Sequence, residues 1–166
     1  MSSQWNNDYF RDPAGDASHP GRGLVGHVPI VAVLLIVQGV LELGLGLFFL
    51  AFAALSFVLP AEALAGMDPK GLAILLVVVG VPGAVCGTLR VAAGLFNWSY
   101  RRRTLGITAL GVGLATIVTG YCAPTAIALA IYGLIVYVNE SVVAAFVLGT
   151  QGRSKAEIKA AFPADR

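Results

Sequence analysis

Residues 86–98, CGTLRVAAGLFNW, set Arg90 in a run that is otherwise small or apolar. A guanidinium inside hydrocarbon costs about 2.5 kcal/mol or more unless it snorkels or finds an acceptor. Helical spacing places Gly83, Cys86, Gly87, Ala93, Gly94 and Asn97 on its face, and small residues mark faces packed against other helices. Arg90 is therefore expected to point inward and to need a carboxylate. The candidates are Glu42, with Gln38 four residues before it and Gly46 four after, and Glu140, which follows Asn139. A planar fork that meets two carboxylate oxygens suits arginine to such a pair or triad.

Two kinds of chemistry are open to this cluster. One is a salt bridge that fixes helix register; the other is a proton or ion path, or a seat for an anionic headgroup. A relay calls for several protonatable groups at different depths, and the far halves of the apolar runs carry none. The clamp is the simpler reading. No nucleophile stands beside a base, no HExxH is present, and no glycine-rich phosphate loop follows a strand, so neither an enzyme nor a cofactor is expected. Cys86 and Cys122 are too few for a metal site, and His19 and His27 lie far from them in sequence, so no metal and no disulfide framework is expected.

The elements that must hold these residues are set by composition. Of 166 residues 57% are hydrophobic and 12% charged, with mean hydropathy +0.81. A soluble chain of this size cannot hide so much apolar surface, which makes the lipid bilayer its solvent. The net charge of +2 gives no reason to expect nucleic acid as a partner. Four apolar runs, about 28–59, 71–97, 103–120 and 123–148, read as membrane helices because lipid requires each span to satisfy its own backbone. The expected fold is an all-α integral membrane protein, a four-transmembrane-helix bundle over residues 27–149. A mobile polar tail (1–26) precedes it, its Trp5, Tyr9 and Phe10 able to rest on the membrane. A tail (150–166) with a short amphipathic helix follows, opened by a Ser154/Glu157 capping box. Asn139 is ambiguous: it either lies within the fourth span or opens a surface segment, NESVVAAFVLG.

Charge sorts the connections. Arg11 and Arg22, then Arg101, Arg102 and Arg103, then Arg153, Lys155, Lys159 and Arg166 fall on one side, while the opposite loops hold only Lys70. The positive-inside rule then makes both termini cytoplasmic, in a plasma or bacterial inner membrane. No cleavable signal peptide is visible. The N-x-S/T matches at Asn97 and Asn139 fall on the cytoplasmic face or within a span, where glycosylation does not occur. Pro82 is expected to kink the second span. Gly83/Gly87, Ala109/Gly113 and Gly111/Ala115 have the small-x-x-x-small spacing of close helix packing, and Gly94 extends the first of these faces. Arg101–Arg103 act as topology determinants and also attract anionic lipid. The function expected from all this is a structural or interaction role, as a homo-oligomer or with other membrane subunits; the alternative is a small oligomeric transporter or channel.

Overall fold

The structure, a computed structural model, describes residues 22–59, 66, 68–115 and 123–162. All regular elements among them are helical. A 3-10 turn, Arg22–His27, leads into α1 (Val28–Leu55); α2 (Pro69–Asn97), α3 (Arg103–Ala115), α4 (Ala123–Val138), α5 (Glu140–Thr150) and α6 (Lys155–Ala161) follow. With 28 and 29 residues, α1 and α2 rise about 42 Å each, more than the ~30 Å of a hydrocarbon core. Both are long and apolar enough to cross a membrane, and the bent pair α4–α5 makes a third candidate if taken as one span. Expectations that fall on Trp5, Tyr9, Phe10, Cys122, Arg166 and residues 116–120 lie outside the described residues.

Local chemistry starts and stops these helices. Asp68 caps α2 by accepting from the backbone N–H of Lys70 at 3.3 Å and Gly71 at 2.9 Å, with Pro69 in the first turn, where no amide is missed. Ser56 ends α1, its hydroxyl donating to the Ala53 carbonyl at 2.7 Å. Ser154 and Glu157 form the reciprocal capping box of α6, and Ile158 is fully buried. Pro82 lies within α2, which continues through it as a single helix.

The dominant contact is α1 against α2, antiparallel, along a seam of small residues. Ala32, Gly39, Gly46 and Ala53 recur every seven positions on α1, and Ala73, Gly80, Gly87 and Gly94 do so on α2. The two rows meet in register. A Cβ on Gly39 would lie 2.8 Å from the Gly87 carbonyl oxygen, one on Gly46 2.8 Å from that of Gly80, and one on Gly94 2.7 Å from that of Ala32. Ala53 and Ala73 share the small core at the far end. A strict seven-residue repeat keeps one seam facing its partner through a left-handed supercoil.

The sequence left one boundary open and placed another differently. The fourth apolar run is not one helix: α4 ends at Val138 and α5 leaves at 75°. Asn139 adopts an extended conformation and its side chain accepts from Ser141 N–H, so a capping residue inside an apolar run redirects the chain. The polar tail also ends earlier than residue 26. Residues 22–27 form the 3-10 turn, and Val25 is buried in the main core with Val28, Tyr100, Phe146 and Ile158.

Candidate functional site

Arg90 and Glu42 are brought together by the α1–α2 seam. Both lie on its buried face, the next turn along from Gly87 and Gly39 respectively. The Arg90 guanidinium donates through Nη1 to Glu42 Oε1, and the side chains are 2% and 4% exposed. Gln38, a turn before Glu42, is buried on the same face. The third wall comes from α3. A Cβ on Gly113 would lie 2.6 Å from Arg90 Cζ, so the guanidinium occupies the space that this glycine leaves. The pair therefore ties three helices at one point.

Its polar groups are not all satisfied. Glu42 Oε2, Arg90 Nε, Gln38 Nε2 and Asn97 Oδ1 are buried without a hydrogen-bond partner among the described residues. A buried group in that condition costs about 1–3 kcal/mol. The arrangement can hold helices in register, and it concentrates polar capacity in apolar surroundings. Among the described residues, no group of three or more His, Cys, Asp or Glu is placed to hold a metal.

Of the other sequence candidates, Glu140 and Asn139 stand apart from the pair. Glu140 is exposed in the first turn of α5 and Asn139 caps that helix, and the buried arginine is paired with Glu42 instead. Ala109 is fully buried. Gly111 faces open space, so a Cβ there meets nothing, whereas a Cβ on Gly83 would make an ordinary contact with Gly46 Cα at 3.4 Å. Gly111 thus packs against none of the described residues of this chain, because α3 turns its other face to them.

Sequence reasoning missed a second network at the end of α2. Asn97 Nδ2 donates to Tyr137 Oη at 2.9 Å, and Gly106 leaves room for both: a Cβ there would lie 2.9 Å from Tyr137 Cζ. Tyr100 is fully buried with φ +55°, a backbone region rarely adopted by a non-glycine residue. Its hydroxyl donates to the Val25 carbonyl at 2.8 Å, and its ring meets Phe146 edge-on. Burial pushes its phenol up to about 12. His27 Nδ1 and Tyr132 Oη lie 2.6 Å apart. Asn97 stands seven residues after Arg90, and that spacing was the available signal.

Arg101–Arg103 line the same end. Arg102 lies over the Phe96 ring at 4.9 Å, Arg103 Nε donates to the Tyr137 carbonyl at 2.7 Å, and Lys155 lies 3.7 Å from the Trp98 ring centre. No protein-family model matches this sequence, and no curated protein or solved structure is significantly similar to it.

Proposed function

We propose that this chain is a four-span membrane protein with a structural or interaction role, self-associating or serving as an accessory subunit of a membrane complex. On this reading both termini are cytoplasmic and the Arg90–Glu42 pair is an intramembrane clamp. The observation that carries it is the enclosure of the pair: Glu42 on α1, Arg90 on α2 and Gly113 on α3 meet at one buried point. A clamp makes a specific demand on mutants. Removing one partner of a buried pair costs about 3–5 kcal/mol, because the other charge is stranded, whereas removing both costs far less. Arg90→Ala should therefore lower accumulation and assembly sharply, and Arg90→Ala with Glu42→Gln should recover much of the loss. Normal accumulation of Arg90→Ala would overturn the clamp. Native mass spectrometry of the intact particle in mild detergent then reads which chains accompany it.

The transport reading keeps one observation in its favour, the partnerless polar atoms of Gln38, Glu42, Arg90 and Asn97. It expects Glu42→Gln to accumulate normally yet abolish a proton or ion flux in liposomes. The clamp expects no flux from the unaltered protein.

A further inference from the structure

Beside the 98–102 turn lies an open groove of about 450 Å³, its rim formed by Arg101, Arg102 and Arg103 and its wall by Val143 and Val147 of α5. We infer that this groove binds the headgroup of an anionic phospholipid, with an acyl chain lying along the apolar face of α5.

Charge comes first. The only ion pair among the described residues is Arg90–Glu42, so the three rim arginines have no carboxylate partner there. They are also oriented: Arg102 rests on the Phe96 ring and Arg103 is tethered to the Tyr137 carbonyl, which reduces the ordering that binding requires. Arg103 and Thr104 of the first turn of α3 line the groove, and that turn carries no acidic residue, so the positive dipole end of the helix lies beside it. Phosphate is the group that such forks and a positive helix end suit.

The wall argues for lipid as the source of that phosphate. Val147 is 44% exposed and Val143 half-buried, so the cationic rim adjoins exposed apolar surface among the described residues. Position agrees. The groove lies where α2, a helix of membrane-spanning length, gives way to the turn. On the four-span reading, on which this inference rests, a helix leaving α4 at 75° runs almost along the membrane surface that α4 enters. Headgroup and acyl chain meet at that level.

The test is native mass spectrometry of the full chain in detergent micelles doped with phosphatidylglycerol or phosphatidylcholine. The unaltered protein should retain phosphatidylglycerol about 100-fold better, since each of the three surface bases adds about fivefold in affinity for anionic lipid. Arg101→Gln with Arg102→Gln should lower that retention by about 25-fold. Val147→Glu removes none of the arginines that orient the chain, sits at an exposed position and should also abolish the preference; Thr150→Glu at the groove's end serves if Val147→Glu fails to accumulate. Equal retention of the two lipids would overturn the inference. So would a glutamate variant that keeps the preference, since the arginines would then act as diffuse surface charge. Complete displacement of phosphatidylglycerol by millimolar inorganic phosphate would overturn it too, by making the groove a free-anion site.

Discussion

The middle of the α1–α2 pair and the cluster beyond Asn97 are held together in opposite ways. From Gly39 to Gly46 on one helix and Gly80 to Gly87 on the other, the contact is backbone against backbone, made by glycines on both faces. Beyond Asn97, Val25, Tyr100, Tyr137, Phe146 and Ile158 fill the space with large groups from four helical elements and the turn after α2, joined by the Asn97–Tyr137 and Tyr100–Val25 hydrogen bonds. The first device depends on two helices adjacent in sequence and tolerates no added atom at Gly39, Gly46 or Gly87. The second depends on the whole chain and tolerates no lost one. Within lipid the seam gains from packing, because apolar tails supply no hydrophobic force between helices.

The comparison breaks most readily at the seam. Gly87→Leu puts a Cβ 2.7 Å from the Gly39 carbonyl oxygen and 2.8 Å from Leu43 Cα. Neither can give way without moving the helix, and overpacking of this kind costs about 1–3 kcal/mol or more. Thermal unfolding in detergent should show a large drop, together with loss of accumulation. Tyr100→Phe in the cluster beyond Asn97 should cost less, about 1 kcal/mol for the hydroxyl's bond to Val25. It should also change the pH profile. The native state holds the Tyr100 proton more tightly than the unfolded chain, whose phenol titrates near ~10. That contribution is complete below about pH 10 and is lost as pH rises toward about 12. Denaturation followed from pH 9 to 12 should show a smaller alkaline loss in Tyr100→Phe than in the unaltered protein. The smallest effect is expected at Gly111, where a Cβ meets nothing: Gly111→Ala should stabilise by about 0.5–1 kcal/mol through helix propensity alone, and an equal loss there and at Gly87 would erase the distinction between packed and open glycines.

What could be read in the sequence follows the same division. The long helices α1 and α2 announce themselves by unbroken apolar length, and Arg90 in such a run demands a carboxylate, of which only Glu42 and Glu140 were on offer. Choosing between them required knowing that the chain turns at Asn139. Hydropathy is blind to direction, and NESVVAAFVLG is apolar enough to prolong a span. The side chain that redirects it is an ordinary helix cap. The seam was half visible: Gly83 and Gly87 stand out at a spacing of four, while the row that makes the closest contacts repeats at seven and becomes clear only when both helices are aligned. Tyr100 left no local trace, since its backbone conformation is fixed by Val25, Phe146 and Gly149, all distant in sequence.

The order of the ion pair along the chain bears on how the protein is made. Glu42 precedes Arg90 by 48 residues, and synthesis delivers the N-terminal helix first. On the four-span reading, when α2 reaches the bilayer its arginine meets an acceptor already lodged in the neighbouring helix, through a seam that needs nothing made later. The insertion penalty of an arginine-bearing segment is thereby lowered at the moment it arises, and α3, arriving afterwards with Gly113, closes over a pair that has already formed.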